Sequence, residues 1–156
     1  MTIDELIREL GHEVGLPGLA LDENSVCGIT FDDIALTIES TPDRVRTVLY
    51  APLGPALLAM DCRNLLLSAL SANYFGQKTG GAVLALDEMK GDLVLWRDIV
   101  PEGYRTTSEF IRDMELFIET ARTWQERIRT AARITEPATS PAPAAASRTP
   151  LPGQFA

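Results

Sequence analysis

One histidine, His12, is all the imidazole that this chain of 156 residues contains. A Ser-His-Asp or Cys-His site would have to be built around it. It lies beside Glu13 at the end of an amphipathic pattern, where a solvated or packing role is expected rather than general-base work. The carboxylates Asp22, Glu23, Asp32, Asp33, Asp87, Glu88, Asp92 and Asp98 gather at the ends of strand-like runs. Such a set could hold a divalent cation or form a glycosidase pair. However, Asp22-Glu-Asn24 lacks the glycine, spacing and terminal glutamate of a calcium loop, so these acids read as turn formers. The segment Gly76-Gln-Lys-Thr-Gly-Gly81 resembles a phosphate loop in composition only. It ends a helix and enters a strand, and a helix C-terminus presents the wrong dipole end to an anion. Cys27 and Cys62 fall in different elements without ligand spacing and read as free thiols. Trp96 and Trp124 lie in apolar-patterned elements, which favours packing over ligand stacking. No enzymatic activity, metal or cofactor is expected.

The net charge of −8 argues against nucleic acid and anionic membrane surfaces. It would suit a partner segment that is basic. No apolar run reaches the roughly eighteen residues of a membrane span, and Met1–Leu10 is unlike a secretory signal, so a cytoplasmic protein is expected.

The string Leu-Ala-Leu-Asp-Glu occurs twice, at Leu19–Glu23 and at Leu84–Glu88. Each copy is followed by a polar turn and a second apolar run, so both read as strand, acidic turn, strand. Around them the pattern is α+β. A helix is expected from Thr2 to Val14, opened by a Thr2/Glu5 capping box. An antiparallel meander follows through Leu19–Leu21, Val26–Phe31, Ile34–Ile38 and Val45–Ala51. A long helix is expected over Gly54–Phe75, with Pro55 in its first turn. Two strands, Ala82–Leu86 and Leu93–Trp96, precede a C-terminal helix over Thr107–Arg133. Phe110, Met114, Phe117, Ala121, Trp124 and Ile128 make one seam along that helix. The domain is expected to span 1–135. Residues 136–156, rich in Pro and Ala, are expected to be disordered.

Two elements carry more apolar residues than one chain has material to cover. The middle helix is apolar over roughly 200°, about twice the arc of a surface helix. The last two strands are apolar on both faces, which asks for a layer on each side. A soluble, charged protein with excess apolar faces points to protein binding.

The order of elements, with Leu19–Glu23 leading into Cys27–Asp33, Val48–Ala51 before Leu53-Gly54, Leu65-Leu66 and Leu70–Asn73, Gly80-Gly81 before Leu84–Glu88, Gly91–Leu95, and Phe110 and Phe117 through Trp124, resembles the class I type III secretion chaperones of the Tir-chaperone (CesT-like) family. The match covers residues 2–133. The chain also resembles, more loosely, the multi-effector export chaperones of plant pathogens. The resemblance implies a non-enzymatic homodimer in the cytoplasm of a Gram-negative bacterium. Such a dimer binds the extended N-terminal segment of secreted effector proteins, keeps it export-competent and delivers it to the secretion ATPase. Combined with the patterns above, it implies a dimer contact through Leu66, Ala69, Leu70, Tyr74, Val83, Ala85, Leu93 and Leu95. It also implies a client groove lined by Leu6, Ile7, Leu10, Ile29, Phe31, Leu36 and Ile38, with the client strand adding to the sheet edge. Three rivals stand beside it: a small α+β protein binding an apolar metabolite, a hydrolase using the acidic turns, and a secretion-machine adaptor with a folded partner.

Overall fold

The computed structural model describes residues 1–59 and 61–133. The expected disordered tail, 136–156, lies outside the described residues.

Helix α1 (Ile3–Glu13) starts at the expected capping box: Thr2 Oγ1 accepts from Glu5 N–H, and Thr2 N–H donates to the Glu5 carboxylate. Five strands follow in one antiparallel sheet: β1 (Val26–Phe31), β2 (Ile34–Ser40), β3 (Thr47–Pro55), β4 (Val83–Asp87) and β5 (Asp92–Ile99). Their spatial order is β1-β2-β3-β5-β4, so β1 and β4 are the two edges. Helix α2 (Cys62–Ala72) lies between β3 and β4, and α3 (Thr107–Arg133) closes the fold. The α+β architecture expected from the sequence is the one observed.

Period-2 alternation decides which side of the sheet is dry. Cys27, Ile29, Ile34, Leu36, Ile38, Leu49, Ala51, Leu53, Leu84, Leu93, Leu95 and Ile99 face the helices and are buried. Ile3, Leu6, Ile7 and Leu10 of α1 join them in one cluster, as does the whole predicted α3 seam, Phe110, Met114, Phe117, Ala121, Trp124 and Ile128. Three fully buried aromatics, Trp124, Phe110 and Phe117, fill the layer between sheet and helices.

Two expectations about local structure are corrected. Leu19–Leu21 is not a strand. Asp22 uses its side chain on the Asn24 and Val26 amides, and its own N–H donates to Val26 O, so the first acidic repeat is a loop clamp rather than a hairpin. The second repeat is the true hairpin, β4–β5. The middle helix is shorter than its apolar pattern. β3 runs on through Pro55, past a bulge at Pro52/Gly54, because Gly54 and Pro55 pair with Leu93 and Asp92. Gly54 at φ 118 supplies a backbone turn that a side chain would oppose. The helix then starts at Cys62, and Tyr74–Gly76 forms a separate 3-10 turn.

The β1–β2 hairpin is tied to α3 by two ion pairs, Arg122 with Asp32 at 2.9 Å and Arg129 with Asp33. The hydrogen bond from Arg129 holds the Asp33 carboxyl below its ordinary 3.8. A depressed folded-state pKa contributes stability above the unfolded value and loses it as pH falls. Protection of the Asp33 and Ile34 amides, taken as the exchange rate relative to the intrinsic rate at each pH, should therefore fall as the solution is taken below pH 3.8. Arg129→Ala should remove that pH dependence without unfolding the sheet. An unchanged pH profile in the variant would dissociate the ion pair from the hairpin's anchoring.

Candidate functional site: two sheet edges and an uncovered apolar surface

The predicted client groove does not exist as a groove in this chain. Leu6, Ile7 and Leu10, at 0, 0 and 2% exposure, pack inward from α1. Ile29, Leu36 and Ile38 sit on the same dry face of the sheet. Helical and alternating periodicity identified a buried stripe correctly but could not say that each other's side chains bury it. Only Phe31 of the seven is half-buried, at the end of β1.

The predicted dimer residues divide. Leu93, Leu95 and Ala69 are buried in the chain's own core and are removed from any contact. Leu66 and Ala85 are half-buried. Leu70 and Tyr74 are 68% exposed, and Val83 is exposed as well. Leu86, in the strand Val83–Leu86 expected at that contact, is open too, as are four apolar residues not assigned to it from the sequence: Leu58, Leu67, Phe75 and Met89. All come from α2, its flanking turns and the β4–β5 hairpin. The missed signal was the apolar turn at Leu57-Leu58 and the Tyr74–Phe75 pair, whose rings stack at 4.4 Å in a tilted geometry.

The acidic turns are occupied by structural work. Asp87 accepts from the Met89 and Lys90 amides, Asp98 pairs with Arg46, and Asp32 and Asp33 pair with arginines of α3. Among the described residues no group of three or more His, Cys, Asp or Glu could hold a metal ion. Asp113 of α3 accepts from Tyr104 Oη and pairs with Arg97, whose Nε is left without a partner among the described residues, and burial pushes the Tyr104 phenol far up. Burial likewise raises the Cys27 thiol, which keeps it protonated and unreactive. Among the described residues no helix is long and apolar enough to cross a membrane.

The sheet edges differ from one another. On β4, the backbone groups of Ala82 and Leu84 that face away from β5 are met by the residues that precede the strand. Asn73, at the end of α2, forms both bonds of a strand neighbour: its Nδ2 donates to Leu84 O at 3.0 Å, and Leu84 N–H donates to its Oδ1 at 2.8 Å. Two residues earlier, Thr79 closes Ala82: Thr79 Oγ1 donates to Ala82 O at 2.6 Å, and Ala82 N–H donates to Thr79 O. This edge is sealed over Ala82–Leu84. Asn73→Ala should raise the exchange rate of the Leu84 amide and cost about 1–3 kcal/mol, the range for orphaning a hydrogen-bonded polar group. Native-like protection of Leu84 in that variant would show that the amide clamp is dispensable.

On β1 the situation is reversed. Phe31 and Ile34 close a two-residue turn, and such a closing pair exchanges both of its backbone bonds. Alternation then points the N–H and C=O of Val26, Gly28 and Thr30 away from β2. Val26 is met by Asp22. Gly28 and Thr30 are exposed, two successive outward positions that present the edge of the sheet to solvent.

Beside that edge runs the outer face. The registers align Gly28, Thr37, Tyr50, Trp96 and Val83 in one row across all five strands. A second row carries Pro52, Val94 and Ala85. Tyr50, Trp96 and Val94 are half-buried, and Arg46 stands over Trp96 at 5.9 Å.

Comparison with known proteins agrees with this architecture. Residues 5–125 match the Tir chaperone protein (CesT) family. The chain belongs to that family. The Chlamydia pneumoniae protein CPj0713/CpB0740 is 28% identical over 123 residues, covering 78% of this chain and 92% of its own. Among solved structures, the ExsC–ExsE complex aligns with a TM-score of 0.65 and 21% identity over 82% of this chain and 97% of the other. The HopA1–SchA chaperone–effector complex aligns at 0.61 and 25% identity, over 78% and 91%. As a family member the chain is a type III secretion chaperone by fold and by sequence, as its residue pattern led one to expect.

Proposed function

We propose that this chain is a non-enzymatic chaperone that binds the extended N-terminal segment of effectors secreted by a type III system. It holds that segment soluble in the bacterial cytoplasm and hands it to the secretion ATPase. The observation that carries the reading is the contrast between the two edges: β4 is sealed by Asn73 and Thr79, while β1 offers the backbone of Gly28 and Thr30. An open edge beside a half-exposed apolar face fits a client that lies extended, because main-chain bonds supply affinity and alternate side chains reach the face. The HopA1–SchA chaperone–effector complex, which contains a chain of the same fold, supports it.

Two chains associate, in this reading, through Leu58, Leu67, Leu70, Tyr74, Phe75, Val83 and Leu86, the apolar surface on α2 and β4. The segment 136–156 is dispensable for that association.

The test is co-expression with effectors of the same secretion system, followed by limited proteolysis of the purified complex. A protected N-terminal stretch of the effector, with its remainder intact and folded, supports the chaperone reading. A partner protected as a whole globular domain supports the adaptor instead. The metabolite reading would have to use a groove of 880 Å³ between α2 and α3, where Leu65 and Ala131 are outnumbered by Asp61, Glu119, Arg122, Glu126 and Arg127, a lining that does not suit an apolar ligand. Native mass spectrometry of the purified chain decides it by the presence of a retained small molecule.

A further inference from the structure

Gly28 has no reason to be glycine in the chain alone. It sits in the middle of β1, its φ lies outside the left-handed region, and a Cβ built on it would meet nothing within 4 Å. Glycine weakens a strand interior, and where geometry does not demand it, it marks the close approach of another chain or a ligand. Every other member of its row, Thr37, Tyr50, Trp96 and Val83, carries a side chain that covers the outer face. The row therefore ends in a notch, and the notch lies on the open edge of the sheet.

We infer that Gly28 is a specificity-determining residue: the client strand joining β1 places an aromatic side chain opposite it, and the ring folds over the glycine onto Thr37. This rests on the strand-addition reading above. The chemistry follows from the spacing of strands. A ring on the added strand starts about 4.8 Å from the Gly28 backbone, and with no Cβ in the way it lies across the glycine toward the next strand. Aromatic cover of an edge glycine is a known way in which sheets recover the packing that glycine forfeits. The ring then extends the apolar row of Tyr50 and Trp96 by one position. An aliphatic side chain covers less of the notch, and a charged one leaves it empty. Thus the client carries, within its extended segment, an aromatic residue on the same side as the residues that contact the outer face.

The probes are capped seven-residue peptides that alternate threonine and valine around a central phenylalanine, leucine or alanine, titrated by NMR into the full chain. The phenylalanine peptide should shift the Gly28 and Thr30 amide resonances and bind roughly two- to fivefold more tightly than the alanine peptide, the upper half of the range for a cross-strand aromatic contact. Gly28→Val should reduce that ratio to about one while raising the melting temperature of the free chain, since valine is the better strand former. Opposite signs for stability and selectivity are what a merely structural glycine would not give. Gly28→Ala, a smaller change, should fall between. Equal affinity of all three peptides at Gly28 and Thr30, or a preference that survives Gly28→Val, would overturn the aromatic notch and leave strand addition standing. Peptides that shift neither resonance would overturn both.

Discussion

Leu70→Asp should separate the proposed two-chain assembly into single chains that remain folded. Leu70 is 68% exposed in the isolated chain, so its own core does not need it. It stands with Leu67, Tyr74 and Phe75, all of them more than half exposed; Val83 and Leu86 of β4 are open as well, on opposite faces of that strand. So many open apolar side chains on a protein with net charge −8 mark a contact face rather than a solvated one. Placing a carboxylate among them costs about 2–5 kcal/mol of association, or roughly 30- to 5,000-fold in the dissociation constant. Sedimentation should show the native chain as a two-chain species and the variant as one chain with native-like circular dichroism. Leu93→Asp makes the control. Leu93 is 2% exposed and belongs to the core, so its substitution should unfold the chain rather than divide the assembly. If Leu70→Asp sediments like the native protein, the contact face lies elsewhere.

Thr30→Pro should weaken client retention roughly tenfold or more while sparing the fold. The Thr30 N–H faces away from β2, so proline removes no bond of the existing ladder; edge strands tolerate proline at such a position. An arriving strand loses a main-chain bond and meets the proline ring instead. The lost bond alone is worth about 0.5–1.5 kcal/mol, and the steric conflict spreads to the neighbouring pair, so affinity for an effector segment should fall by roughly tenfold or more. Ile29→Pro is the informative contrast. Ile29 bonds inward to Leu36 and is buried, so this substitution should break β1–β2 and lower stability sharply. Isothermal titration with a purified effector segment, run beside thermal melts of both variants, reads the two effects separately. Full affinity in Thr30→Pro would exclude β1 as the docking edge.

Both variants depend on knowing which way a residue faces, and here sequence and structure contributed differently. The four-three spacing of α3 identified Phe117 and Trp124 as inward residues without coordinates, whereas alternation in β2 put Leu36 and Ile38 on one apolar face without saying that the chain itself covers it. The capping box at Thr2 and Glu5 was legible because it is made by neighbours in sequence. The excess of apolar residues on α2 and β4 was legible too, since more apolar surface was written there than one helix face can bury.

What the sequence could not express is which buried stripes bury each other. Leu6, Ile7 and Leu10 look the same on a helical projection whether they line a client groove or pack against Trp124 and the sheet; only their meeting in space places them in the core. The two Leu-Ala-Leu-Asp-Glu copies are identical as text. One became a hairpin because Val83–Asp87 found β5 to pair with, and the other a loop because Asp22 turned its carboxylate onto the Val26 amide. The edge clamp at Asn73 joins residues eleven apart, and the Gly28 row crosses five strands that the chain visits out of spatial order. Local periodicity determined the elements and their wet and dry sides, because these follow from near neighbours. Which edge is shut, which is open and which leucines stay uncovered was decided by tertiary packing, because each depends on residues that only the folded chain brings side by side.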